Sequence, residues 1–227
     1  SVDAYTGVQT VAKYVDVMDG NQLRDFAKAT GYSTAEGLLT WNGGAGTDWQ
    51  RELYNPAMVS KVALNVSGGN KTSTYNISGS YLNQDGIVNT TGYEAWNLRV
   101  KNTFSLFNNH VRMGSTIMMK FWDKDYEDVT YTAALEAVPQ WIPYDENGEW
   151  GIAPEWTRGD NPVGYTEVAD YQNHGVDILL NGYAEVDLGL KGLRYKLNVG
   201  INKYTRRDYS FVAPYYFSST SQNSEAG

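Results

Sequence analysis

The sequence predicts an all-β protein: a section of a large antiparallel transmembrane β-barrel wall, with long loops at one end of its strands and tight turns at the other. Three observations predict it. The first is alternation. Trp96, Leu98, Val100, Phe104 and Leu106 share one parity, broken only by Asn102, while Asn97, Arg99, Lys101, Thr103 and Ser105 share the other. Successive strand side chains point to opposite faces, so one face is apolar and one polar. The run lasts about eleven residues, the length at which a tilted strand crosses a bilayer and about twice an ordinary globular strand. The second is the rhythm of the connections, which alternate between long stretches and the short turns SGGN, FNNH and KG. Outer-membrane barrels sort their connections in this way, whereas a Greek-key sandwich scatters long ones over both ends. The third is charge. Arg99, Lys101, Arg112, Lys120, Glu185, Asp187, Arg194 and Lys196 fall on the polar parity, too much charge for a small closed core and suited to a wet interior.

Taken in order, residues 4–17 read as the upper end of a strand leaving into a loop. Asp19 is placed to cap a short amphipathic helix over 21–30, with Leu23, Phe26 and Ala27 at helical spacing and Gly31 as C-cap. Residues 31–57 are Gly-, Thr- and Trp-rich loop with one helical turn at Trp49 to Leu53. Val62, Leu64 and Val66 then alternate, and SGGN turns the chain with Gly68 and Gly69 supplying positive φ. Tyr75, Ile77, Gly79 and Tyr81 return, and a longer connection, NQDGIVNTTGYE, leads to the strand around Leu98. After FNNH, the residues Val111, Met113, Ile117, Met119 and Phe121 carry the next strand. Between Asp123 and Gly175 no period holds over roughly fifty residues, far beyond ordinary loop length, with one short helix at Thr132 to Ala137. Ile178 to Leu190 and Leu193 to Ile201 form the last two strands around the turn at Lys191 and Gly192, and a Tyr-, Ser- and Pro-rich tail follows from Asp208. The whole of 1–227 is thus barrel wall of six to seven strands, with long loops at about 17–57, 83–95, 123–175 and 208–227. Six strands cannot close around a wet lumen, so the remaining wall lies outside this chain.

The totals narrow the classes. Aromatics are 14% of 227 residues and Gly numbers 23, a mixture rich in strand and turn formers. A net charge of −8 argues against nucleic acid, whose phosphates demand excess Lys and Arg. There is no Cys, which excludes disulfides, thiol catalysis and Cys-ligated zinc. No apolar run reaches the roughly 20 residues of a membrane helix, and SVDAYTGVQT lacks the basic and apolar regions of a signal peptide. A soluble glycan-binding β-sandwich shares this composition and stays open as the alternative. No catalytic residue and no cofactor emerges: His110 and His174 sit at turns without a Ser or Cys partner pattern.

The stretches TDWQRELYNPA, ALNVSGGNKTSTYNISGSYLNQDGI and WNLRVKNTF together resemble the SusC/RagA family of TonB-dependent outer-membrane transporters. VQTVAKYVDVMDGNQLRDFAKATG, YDENGEW and LKGLRYKLNVGIN resemble other parts of the same family, so the resemblance covers nearly all of the chain. It implies a 22-stranded barrel with an internal plug, placed in the outer membrane of a Gram-negative bacterium with the loops extracellular. It also implies import of oligosaccharides or peptides powered through TonB, and a SusD-like surface lipoprotein as lid. The plug, the TonB-contacting segment and the remaining strands are not in this chain. The family offers no catalytic residues to carry over.

Two sets of aromatics are candidate sites. Trp141, Tyr144, Trp150, Trp156 and Tyr165, with Tyr131, stand in the longest loop. They read as contacts for cargo or for the lid protein, or else as the packing of a structured loop. Tyr93, Trp96 and Trp122 lie near strand ends and read as girdle residues at the membrane interface, or as simple packing. The acidic runs of Asp123, Asp125, Glu127 and Asp128, and of Asp145, Glu146 and Glu149, match no EF-hand loop and read as solvated surface, so no metal is expected.

Overall fold

A computed structural model describes residues 1–127 and 131–225 of the 227. Its main element is one seven-stranded antiparallel sheet in sequence order: β1 (Val2–Gln9), β2 (Ala57–Gly69), β3 (Ser73–Asp85), β4 (Gly92–Leu106), β5 (Val111–Tyr126), β6 (Ala169–Asp187) and β7 (Arg194–Val212). The register turns parity into faces. Val66, Ile77, Val100, Ile117, Leu180 and Ile201 stand opposite one another in a single row across six strands. The neighbouring row, on the other face, is Ser67, Asn76, Lys101, Thr116, Asn181 and Gly200. A shift of one residue would exchange the two faces wholesale, so the sidedness fixes the pairing.

The apolar face has a defined edge toward the long loops. The row before that edge runs Ala4, Val62, Tyr81, Trp96, Phe121 and Val176, with Thr205 on β7; apolar side chains recur beyond the edge only on the outer strands, at Val8, Met58, Tyr209 and Phe211. The row beyond it is polar on every strand: Thr6, Ser60, Asn83, Glu94, Asp123, His174 and Arg207. At the opposite edge the apolar positions stop at Val66 on β2, Tyr75 on β3 and Leu106 on β4, and β7 shifts to Tyr195 through Ile201 before Lys203. The band therefore steps along the register from strand to strand, as it must where strands tilt across a bilayer.

Strand pairing outruns the alternation. β6 and β7 each hold 19 residues, roughly 60 Å of extended chain, whereas the apolar band of a membrane barrel is about 25 Å tall. Consequently the connection after β3 is only residues 86–91, shorter than the sequence predicts. β5 likewise runs on to Tyr126, β6 starts at Ala169, and β7 reaches Val212 inside the expected tail. The apolar–polar alternation ends while the ladder continues beyond it, which is why periodicity underestimates these strands.

The turns follow local chemistry. Gly68 and Gly69 do not take positive φ, contrary to the sequence reading. Asn70 makes the turn instead: its Oδ1 accepts from the Thr72 and Ser73 amides at 2.9 and 2.8 Å. Gly68 is needed for space, since a Cβ there would lie 2.6 Å from the Tyr75 hydroxyl across the ladder. Between β4 and β5, Phe107, Asn108 and Asn109 hold φ of 50, 53 and 71°, three consecutive left-handed residues without glycine.

At the other end the connections build a cap. α1 (Gly20–Thr30) carries the full capping box, with Asp19 and Gln22 each accepting the other's amide, and Gly31 closes it at φ 67°. α2 (Glu36–Leu39), α3 (Trp49–Leu53), α4 (Tyr131–Glu136) and α5 (Pro162–Val168) follow, with a small hairpin of β8 (Tyr215–Ser218) and β9 (Ser221–Asn223). The hydrophobic core lies here: Trp49, Leu53, Ala134, Trp141, Val163, Val168 and Phe217. No layer of comparable size packs over either face of the main sheet among the described residues, so the two facing sheets of a sandwich are not formed. No described helix is long and apolar enough to cross a membrane.

Candidate functional site

Two surfaces can meet another molecule: the polar face of the wall, and the cap. The polar face is concave, and a cavity of about 540 Å³ rests against it, lined by Lys61, Ser78, Ser80, Asn97, Arg99 and Lys120 among others. Register assigns nine cations to this face: Lys61, Arg99, Lys101, Arg112, Lys120, Lys124, Arg194, Lys196 and Arg206. Only Asp3, Asp177, Glu185, Asp187 and Asp208 oppose them. Near the tight turns the charges pair within the wall, Glu185 accepting Arg112 at 2.9 Å and Arg194 at 3.5 Å.

The cap settles where the loop aromatics stand. Trp141 is 2% exposed. Its Nε1 donates to the Gly151 carbonyl at 2.7 Å, and its ring meets Trp49 edge-on at 5.7 Å. Trp150 is half-buried between Tyr144, at 5.0 Å, and the edge of Phe217, at 6.1 Å. Tyr165 shares a hydrogen bond with the Tyr171 hydroxyl at 3.1 Å and meets Tyr215 edge-on, and burial raises its pKa. These three are packing residues of the cap. Tyr144 remains exposed and donates to Glu167 at 2.8 Å; burial of the phenol, then that hydrogen bond, pushes its pKa up to about 12. Trp156 lines a cleft of about 730 Å³ with Met18, Leu38, Trp49 and Pro139. Tyr131 has no described side chain.

Of the three girdle candidates, only Trp96 stands on the apolar face, 55% exposed, with Tyr81 at 4.3 Å and Phe121 opposite it. Tyr93 and Trp122 fall on the polar parity, Lys120 lying 5.5 Å above the Tyr93 ring, so the girdle reading is corrected for both. Tyr81 and Phe121 were legible as its neighbours only once the register was known.

The sequence also missed what ties the cap together. Gln50 grips the backbone of Val15 in both directions, accepting from its amide at 2.9 Å and donating to its carbonyl at 2.7 Å. Arg51 lies 4.7 Å over the Tyr14 ring. Asn161 is fully buried, caps α5 by accepting from the Gly164 amide, and donates to the Pro143 carbonyl. Asn161 followed by Pro162 was a readable helix start; Phe217 carried no local signal. In the acidic run, Asp145 accepts from the Asn147 and Glu149 amides, which holds its carboxyl below the usual range. Asp128 lies outside the described residues, and no metal-holding group of side chains occurs among those described. His174 meets Asp123, and His110 turns its Nδ1 toward the Phe107 carbonyl.

This combination, a tilted amphipathic sheet with open edges and a loop cap on one end, defines a section of a transmembrane β-barrel. No family model matches the chain. It is 32% identical over 206 residues to TonB-dependent receptor P3 of Formosa agariphila, covering 86% of this chain and 20% of that one. It is 28% identical over 100 residues to TonB-dependent receptor SusC of Bacteroides thetaiotaomicron, covering 44% of this chain and 10% of that one. Among solved structures, it matches the RagAB peptide transporter with a TM-score of 0.75 at 18% identity, over 96% of this chain and 29% of that one. The open-open state of the RagAB peptide importer matches at 0.71. The chain is thus similar, as a section, to TonB-dependent receptors, SusC among them, and shares its fold with part of the RagAB transporter. It spans about a fifth of the length of the first curated relative and less than a third of the solved chains.

Proposed function

We propose that this chain is part of the wall and the extracellular cap of an outer-membrane nutrient importer. The receptor would draw energy through TonB by way of its other parts, and would be closed from outside by a SusD-like lipoprotein that docks on the cap. Oligosaccharides or peptides would pass along the polar face, and the remaining barrel and plug would complete the lumen. The observation that carries this reading is the apolar band, edged by a polar row on all seven strands, in a chain related over 86% of its length to a TonB-dependent receptor. Trp96, with Tyr81 and Phe121, would then sit in the interface girdle at the outer edge of the membrane. Tyr144 and Trp156, the described candidates of the longest loop that lie outside the core cluster, are the residues we assign to lid or cargo. The test is growth of the source bacterium on its cargo, with the full-length receptor present, deleted, or present without TonB. Loss of uptake in both deletions is expected; uptake that persists without TonB overturns the reading.

A further inference from the structure

Part of the charge on the concave face is paired within the wall: Glu185 takes both Arg112 and Arg194 close to the tight turns, and Asp208 takes Arg206 close to the cap. The cations of the cavity between these pairs are not. Lys61, Arg99 and Lys120 line the 540 Å³ cavity together with the amides of Asn65 and Asn97, and none of the three makes an ion pair among the described residues. Asp3 and Asp177 are the acids of that cavity, leaving it with surplus positive charge in a chain whose net charge is −8. The chain thus sends its acidic excess to the loops and the outer face, and its cationic excess inward.

We infer that the cavity midway along this wall selects carboxylate-bearing cargo, with Lys61, Arg99 and Lys120 as its anion-attracting residues. This deepens the importer reading and rests on it, because it takes the concave face for the lumen. The physics is that of a like-charged cleft with low-dielectric walls, which concentrates counter-ions and binds them less well as salt rises. Asn65, Asn97, Ser78 and Ser80 between the cations supply the neutral donors that a carboxylate needs for its remaining lone pairs.

The experiment uses the purified full-length receptor and two pairs of probes of equal length: a glutamate-rich and a glutamine-rich peptide, and a uronic-acid and a neutral oligosaccharide. In at least one pair the acidic probe is expected to bind on the order of tenfold more tightly at low salt, the advantage shrinking toward 1 M salt. The double variant Arg99→Gln, Lys120→Gln should remove most of that ratio. Arg112→Gln, whose charge Glu185 already offsets, is the control for charge removal as such and should preserve the ratio. Equal binding within both pairs, or failure of both acidic probes to bind, overturns the proposal, as does a preference that survives the double variant. A double variant that lowers the melting temperature while keeping the preference would assign these cations to an internal contact, which also overturns it. TonB-dependent growth is read separately, so the importer reading can stand when this one falls.

Discussion

The wall and the cap use the same residues in opposite ways. In the wall, Leu98 is 42% exposed and its row is exposed to half-buried, with no protein layer over it among the described residues; in the cap, Trp141 and Phe217 are 2% and 0% exposed. The wall is held by its ladders and, as a membrane barrel, by lipid against one face. The cap is held by a small hydrophobic core assembled from residues 49–53, 134–168 and 213–217. An exposed leucine therefore means something different in each region, and perturbations should separate the two.

The largest effect is expected in the cap core. Trp141→Ala removes a buried ring and orphans the Gly151 carbonyl, at a cost of about 3–5 kcal/mol. Thermal melts of the full receptor followed by tryptophan fluorescence should show the cap transition falling, while far-ultraviolet strand signal holds. Next is the wall: Ile117→Arg, in the middle of the apolar band, should cost about 2–4 kcal/mol of barrel stability in lipid, while Thr116→Arg on the polar face costs far less. If the two were equal, the faces would not differ in what they meet. A smaller effect, about 1 kcal/mol, is expected for Asp19→Ala, which breaks the α1 capping box and should show as faster amide exchange over residues 20–23. The smallest is a pH effect at Asp145. Its carboxyl titrates lower folded than unfolded, because two backbone amides hold the charged form. The stabilisation is therefore complete above the ordinary carboxylate range and fades as pH falls through the lowered folded value. Protection of the Asn147 and Glu149 amides, taken relative to their intrinsic exchange rates, should fall only on that acid side, and Asp145→Ala should make that protection independent of pH.

The same contrast explains what could be read from sequence. The wall was legible because its constraint is local and periodic: Leu98 and Arg99 declare opposite faces from parity alone, and Asp19 and Gly31 declare the ends of α1. The cap was not, because its contacts are long-range and aperiodic. Trp141, Trp150 and Tyr165 could be read as binding faces or as packing because aromatics in a loop suit either role; Trp49 shows Trp141 to be core, and Phe217 and Tyr215, arriving from the far end of the chain, show it for Trp150 and Tyr165. Tyr93 and Trp122 were misjudged for another reason: position along a strand suggested the membrane edge, but their parity already placed them on the face of Arg99 and Lys120.

The central claim is that the Leu98 face meets lipid and the Arg99 face meets water. The chain holds no Cys of its own. Leu98→Cys and Arg99→Cys, each spin-labelled in liposomes in a full-length receptor from which any Cys outside this section has been replaced, can be compared for access to oxygen and to a water-soluble nickel chelate. The account predicts oxygen access at 98 and nickel access at 99. A label at 98 shielded from both, with 99 open to bulk solvent, would mean that the apolar face is covered by protein, and would contradict it.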